Sequence, residues 1–444
     1  MFPATRPFRQ GLATLALVVF TVLPTALVAA WAWRIHRPGH LRDVEIELGR
    51  QLGLQVTIEA VRYPRPGEVV FRGIVLRQEE PRGGGLIEIA RADVVKSVRG
   101  DRELTLHAEN LQLRGGSPRQ ALAQIGLLIQ KSTSVLYERI NLAAPSCRVD
   151  LGLETLCYTV QDVAGEFVAD RTNPTLRLAY RVPGPGSGTR CELTLARDRS
   201  AEPVRTALVF KTVEGVPLVA RVLDVFFDTG EWLGAGAKVE GTLSLGQHGA
   251  REWEAEFQGN LLEVDLATLV GKRFPRHRLA GLARVAIESA RWGDRPGQGP
   301  GWIEAKGELF GTQGTVGVDL CGALAREMRF RLSPRVSRLD PRKTEIEFRS
   351  LGMAFDMQQN GEIHLAGALG SEFTPDAVLV SGTSAIVFAP TGTASVHGLI
   401  KTLFPVADSP PGVMVPLTPE SRVLLCLPVP REIASKAGRT LGGN

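Results

Sequence analysis

Residues Gly11 to Trp33 (GLATLALVVFTVLPTALVAAWAW) contain no charged side chain. About 20 apolar residues in helical form span the ~30 Å hydrocarbon core of a bilayer, and a run this long has no stable place in water. Pro24 lies mid-run and predicts a kink rather than a stop. Trp31 and Trp33 close the run where an interfacial aromatic belt would lie. Arg6 and Arg9 precede it, as in the charged start of an export signal. A cleavable signal peptide has a shorter apolar region of ~7–15 residues followed by A-x-A. Ala30-Trp31-Ala32 has that form, but the run is too long, which favours an uncleaved signal anchor. Arg34, Arg37 and Arg42 follow the span, so the positive-inside count does not favour a cytoplasmic N-terminus. A short tail, one span and a long domain still resemble a signal anchor, because long domains translocate regardless of nearby charge. The expected location is a bacterial inner membrane, single-pass, with the body in the periplasm.

Beyond the span, Leu41, Val44, Leu48 and Leu52 fall at helical spacing and predict a short amphipathic helix that Gly53 ends. From there the period changes to two. Gln55–Tyr63, Glu68–Arg77, Leu86–Ser97 and Glu103–Leu113 read as an antiparallel meander. Pro118–Tyr137 reads as a helix with Leu122, Ile125, Ile129 and Leu136 on one stripe. Strands are then expected at Cys147–Leu153, Leu156–Val168, Thr175–Val182 and Arg190–Leu195. Thr175–Val182 alternates most cleanly, with Leu176, Leu178, Tyr180 and Val182 on one side.

A loose repeat follows. Val216–Phe227 reads as a helix, then Ala237–Leu245 and Glu252–Gln258 as strands. Val264–Phe274, Gly281–Ser289 and Gly301–Leu309 repeat that order, and a weaker third instance runs from Thr393 to Leu427. Thr344–Ser350, Gly352–Gln359, Glu362–Leu369 and Ala377–Val380 read as a further meander. The expected organisation is an anchor at 1–40, a β-rich region at 41–215, a β-rich repeat region at 216–430 and a polar tail at 431–444.

A composition of 44% hydrophobic and 22% charged residues is that of a globular chain. The net charge of +5 comes from arginines scattered along strands. Nucleic-acid binders carry a clustered basic footprint, so no nucleic-acid partner is expected. The five cysteines form no C-x-x-C pair. Cys147 and Cys157 flank a hairpin and suit either a disulfide in an oxidising compartment or two buried thiols. The seven histidines are dispersed with no H-x-x-x-H spacing, so no metal site is expected. GTQGTVG at Gly311–Gly317 departs from the phosphate-loop pattern and reads as glycines at strand edges. Asp224 and Asp228 read as a solvated helix face rather than an acid–base pair. No G-x-S-x-G elbow is present. No catalytic residue, metal or cofactor is expected, and the chain reads as a non-enzyme.

Many strands with few helices predict a mainly β fold: one N-terminal transmembrane helix, then a long, curled antiparallel β-sheet groove with a few short helices. Too few helices are available to cover its apolar face. The sheet must close as a filled sandwich or remain a trough, and an apolar trough in water implies an apolar ligand. The candidate groove residues are Leu176, Leu178, Tyr180, Leu243, Leu245, Val285 and Ile287.

The order of motifs resembles the AsmA-like family of envelope proteins. An anchor and short helix precede GLQVTIEAV at Gly53–Val61, FRGIVL at Phe71–Leu76, IEIARADV at Ile87–Val94 and LTLHAENLQL at Leu104–Leu113. FQGNLLEVDL at Phe257–Leu266, LAGLARVAIE at Leu279–Glu288 and IEAKGEL at Ile303–Leu309 resemble that family's later repeats. The resemblance implies a curled β-groove and a role in envelope biogenesis, as a bridge along which acyl chains cross between membranes. It carries no catalytic residues. The expected partners are phospholipid or another envelope lipid, the inner membrane and envelope proteins. The expected function is lipid handling or transfer; the alternatives are a scaffold for an envelope complex and a hydrolase acting on envelope polymers.

Overall fold

The computed structural model describes residues 14–52, 55–65, 68–77, 86–96, 102–114, 129, 138–150, 157–184, 188–214, 216–221, 229–248, 252–272, 274, 276–295, 299–337, 342–370 and 373–403. Thr14–His36 is helical and has a mean hydropathy of 2.2, and none of its residues is buried in the protein. It has the length and composition of a single-pass anchor or a signal sequence. Its N-terminal part contains a π-helical turn at Val18–Val22, and helix α1 runs from Leu23 to His36. Pro24 explains the change. It has no N–H to return to the carbonyl four residues back, and the ladder widens to i→i+5 bonds just upstream, with Leu23 N–H donating to Val18 O. Helix α2, His40–Leu52, follows a short turn. Its Leu41, Val44 and Leu48 pack on the first strands of the sheet, and Glu45 Oε1 accepts from the Ile58 N–H at 2.8 Å.

The described residues of the body form one large, open, mixed sheet of 21 strands. Strands β1 (Gln55–Thr57) and β2 (Ala60–Arg65) pair side by side along one edge of β3 (Glu68–Arg77). The ladder then proceeds through β4 (Leu86–Lys96), β5 (Glu103–Arg114), β6 (Arg139–Asp150), β7 (Cys157–Val168), β8 (Thr175–Val182), β9 (Thr189–Asp198) and β10 (Arg205–Glu214). Strand β11 (Leu218–Val219) and β10 share one edge of β12 (Lys238–His248). Next come β13 (Glu252–Asp265), β14 (Leu279–Arg295) and β15 (Gly299–Gly317). β16 (Arg331–Leu332), β17 (Glu345–Met357), β18 (Glu362–Gly367), β19 (Ala377–Ser381), β20 (Ser384–Phe388) and β21 (Ala394–Ser395) complete it. At ~4.8 Å per step the ladder extends on the order of 75 Å.

Every pairing but one among the described strands is antiparallel, and most join neighbours in sequence. The exception makes the long antiparallel sheet a mixed one: β5 and β6 run parallel. A parallel pair needs a crossover of a dozen or more residues, and residues 115–138 supply it. The predicted helix Pro118–Tyr137 falls there and, apart from Ile129, lies outside the described residues, as do Asp224, Asp228, Arg422–Leu427 and the tail from 431. Hydrogen bonding runs without a break from β9 through β10 to β12, across the boundary expected near residue 215.

Other differences have local causes. The helix expected at Val216–Phe227 begins instead as β11. β10 pairs only with residues 242–248 of β12, which leaves Lys238 and Val239 an open edge for Leu218–Val219. The helix expected at Val264–Phe274 is shortened, because β13 runs to Asp265 before a π-helical turn at Ala267–Gly271. The third helix-like segment is a two-residue strand and then a helix, Val396–Leu403. Gly311, Gly314 and Gly317 lie in β15, not in a loop.

A filled core occupies the C-terminal third. The helix Val318–Glu327 and Val396–Leu403 pack with Phe348, Leu351, Val378, Leu379, Ile386 and Val387. Gly322 lies inside the first of these helices, and nothing stands within 4 Å of the point that a methyl carbon would occupy there. Glycine costs a helix interior about 0.5–1 kcal/mol relative to alanine. Gly322→Ala is therefore expected to raise stability by about that amount, read as a higher urea midpoint.

Candidate functional site

The two faces of the sheet differ in chemistry. One carries cross-strand ion pairs: Arg91 with Glu109 at 3.8 Å, Arg139 with Glu103 at 3.3 Å and Glu166 at 3.2 Å, and Arg291 with Glu254 at 2.5 Å and Glu304 at 3.3 Å. Lys238–Glu263 and Arg278–Glu345 continue the pattern. Such exposed pairs add little stability individually. They keep this face wet and fix which face is which, since a one-residue slip would exchange the two.

The opposite face is apolar in rows that run across the strands. One row places Leu178 between Gly165 and Leu193, and continues through Phe210, Leu243 and Phe257. A second joins Phe167, Leu176, Leu195, Leu208 and Leu245. A third joins Leu218, Val239, Leu261, Val285, Leu309 and Met353. Tyr180 stands opposite Cys191, and Ile287 stands between Gly259 and Gly307. All seven residues singled out from the sequence lie on this face. Leu243 is buried at 8% exposure, while Leu176, Leu178, Tyr180, Leu245, Val285 and Ile287 keep part of their surface open.

The face is covered differently along its length. Helix α2 lies over its first strands, and the filled C-terminal core closes its far part. Between them, Ile129 sits on the second row at 1% exposure, and Arg199 Nη2 donates to its carbonyl at 2.9 Å. Ile129 belongs to the apolar stripe read from the sequence at 118–137. Strand β10 falls outside the strands expected from the sequence, yet it supplies Leu208 and Phe210 to the middle of the face. The alternation Thr206, Leu208, Phe210, Thr212 is the signal that could have found it. Where β10 gives way to β11, Thr189, Thr212, Val216, Pro217, Gly241 and Gly259 line a shallow cavity.

Tyr158, Tyr180, Cys147 and Cys191 place hydroxyls and thiols among these apolar rows. Cys147 is a free, buried thiol. It stands opposite Val160, whereas Cys157 stands opposite Asp150, three residues further along the ladder. At ~3.3 Å per residue that offset exceeds the reach of a disulfide, so the bridged alternative is set aside. Burial pushes the Cys147 and Cys321 thiols up to about 11 and the Cys191 thiol up to about 12. The Tyr158 and Tyr180 hydroxyls are raised, first by burial and then by these neighbours. For groups raised on folding, the stabilisation is complete below the unfolded-state value and is lost as pH rises through the folded one. An unfolded thiol titrates near ~8.5. The urea midpoint is therefore expected to fall between about pH 9 and about pH 12, and to fall less in Cys191→Ala.

Among the described residues no group of three or more His, Cys, Asp or Glu side chains converges as metal ligands. His277 is buried with Nε2 2.6 Å from Thr402 O, tying the segment that leads into β14 to the last described helix. This is a structural contact between two chain segments rather than an opening to solvent. No family model, no characterised protein and no solved structure matches this chain, so its function has to be argued from the two-faced sheet itself.

Proposed function

We propose that this chain is a membrane-anchored, non-enzymatic envelope protein whose apolar sheet face handles lipid, holding acyl chains out of water along the strands' cross-sheet rows. One observation supports the reading most: six of the seven candidate residues stay partly open on a continuous apolar face of a sheet that does not close. Monomeric soluble proteins rarely leave contiguous apolar surface of this kind without a ligand or partner for it. The resemblance to AsmA-like proteins points the same way, towards phospholipid or another envelope lipid, with the anchor in an inner membrane and the body in the periplasm.

Site-specific photo-crosslinking in cells tests it. A photoreactive residue at Leu178 or Val285 is expected to gain adducts of phospholipid mass, while one at Arg177 or Ala286 on the charged face gains none. Adducts to a protein at Leu178 and Val285, without lipid, would replace lipid handling by a scaffold role. The filled core around Phe348 and Val387 supports that second reading, because there the apolar face is already satisfied within the chain.

A further inference from the structure

Seven arginines of the described strands, Arg91, Arg114, Arg139, Arg181, Arg190, Arg291 and Arg331, meet a carboxylate. Four arginines without one gather where the apolar span meets the sheet. Arg34 and Arg37 close the apolar span, and Arg62 and Arg65 lie exposed on β2, the edge strand nearest to it. Among the described residues none of the four enters an ion pair. A contact network joins the two pairs. The Trp31 ring meets Tyr63 edge-on with centroids 6.3 Å apart, and His40 Nε2 lies 2.7 Å from Tyr63 Oη. Burial raises the Tyr63 hydroxyl, and the nearby Arg34 charge opposes the shift.

Trp31 stands in the last turns of the span, the level at which tryptophan and tyrosine settle between hydrocarbon and headgroups. Tyr63 is held against it, so β2 is held at the same level. Its arginines then stand where lipid phosphates stand. We propose that the β2 edge, with Arg62 and Arg65 beside Arg34 and Arg37, is a docking surface for the anionic phospholipid surface of the membrane that holds the span. These cations take phosphate as their counter-charge, and the first edge of the sheet, which pairs with no further strand among the described residues, is covered by headgroups rather than by another strand. This inference rests on reading Thr14–His36 as an anchor, and it adds where the sheet begins relative to the lipid.

The test uses the full chain in lipid nanodiscs, with Cys157 and Cys426 replaced by serine and a fluorophore on Ala60→Cys in β2 or on Ala286→Cys on the distant charged face. Headgroup-spin-labelled lipid is expected to quench the label at 60 several-fold more than the label at 286 in discs containing phosphatidylglycerol. The difference should shrink in phosphatidylcholine discs, at 0.5 M NaCl, where the screening length drops below ~10 Å, and in R62E/R65E. Equal quenching at 60 and 286 overturns the proposal. Strong quenching at 60 that ignores lipid charge, salt and the reversals also overturns it, leaving the arginines as guards of an exposed strand edge. Alkaline carbonate extraction of the same samples separates the two readings. A chain released from the bilayer defeats the anchor and the surface together, while a retained chain with no quenching at 60 defeats the surface alone.

Discussion

Gly259→Val is expected to lower stability by about 3–5 kcal/mol, enough to leave little folded protein at 37 °C. Gly259 and Gly241 stand directly opposite each other in the β12–β13 ladder, at φ of 154° and 141°. Side chains rarely adopt that backbone region, and a residue forced into it costs about 1–3 kcal/mol. A Cβ on Gly259 would also strike the Glu240 carbonyl oxygen and come within 2.7 Å of Gly241 Cα. Both obstacles are backbone, so neither can swing aside as a side-chain tip would, and overpacking adds a further ~1–3 kcal/mol. The total is a large part of the ~5–15 kcal/mol that stabilises an ordinary domain. Gly246→Ala, in the same strand β12, provides the contrast. Its nearest neighbours would lie 3.5 Å and 3.9 Å from the added carbon, ordinary contact distances. It should shift the thermal midpoint by no more than a degree or two, whereas Gly259→Val should move it by ten or more and open the β12–β13 region to protease. Equal midpoints for the two variants would remove the glycine pair from any role in shaping the sheet.

The glycines also explain how a long sheet can bend without losing its apolar rows. Ile287 stands between Gly259 and Gly307, with Gly241 one strand beyond Gly259, and the Phe355 ring lies over Gly307. A second pair, Gly281 and Gly314, sits under Phe348. Large side chains therefore cover positions where the backbones come closest, and bulges beside them absorb the change of register.

These features mark the limit of what the sequence discloses. Period-two alternation locates most strands because one face is charged and the other apolar, so Leu176, Leu178 and Tyr180 announce their side directly. The same rule fails where the strand is interrupted. Strand β17 reads as two strands because Leu351 and Gly352 break its alternation, although both lie inside one ladder with β15. Strand β11 reads as a helix because VPLVARVLDVFF has the apolar density of either element. What decides between them is an open stretch of β12 more than 15 residues away in sequence, a tertiary requirement no local pattern contains. The parallel step at β5–β6 is invisible for the same reason. Only the length of 115–138 hints at it, and a long loop is equally compatible with a hairpin. For the candidate face, the sequence identifies which side chains share a side but not which stay open, because that depends on where α2, Ile129 and the C-terminal core lie.

Openness is what makes the second large effect calculable. In the double variant L178D/V285D, lipid adducts on the apolar face are expected to fall at least about thirtyfold, with complementation of an envelope-permeability defect lost in parallel. A carboxylate in hydrocarbon costs about 2.5–3.5 kcal/mol at the centre of a bilayer, and somewhat less beside water in an open face. About 2 kcal/mol per site already corresponds to roughly thirtyfold in occupancy. The fold should survive, because Leu178 and Val285 are each only partly buried and each loses at most about 1–2 kcal/mol of burial. The two sites are on different strands, β8 and β14, with β9, β10, β12 and β13 between them along the ladder. They therefore interrupt two separate positions along any path an acyl chain takes. R177D/A286D places the same charges on the same strands one residue away, facing the ion-pair side, and is expected to leave lipid adducts and complementation unchanged. Loss of function in both double variants would trace to damaged folding. Full function in L178D/V285D, with a normal thermal midpoint, would mean that acyl chains do not travel along this face and that its apolar rows serve protein contacts instead.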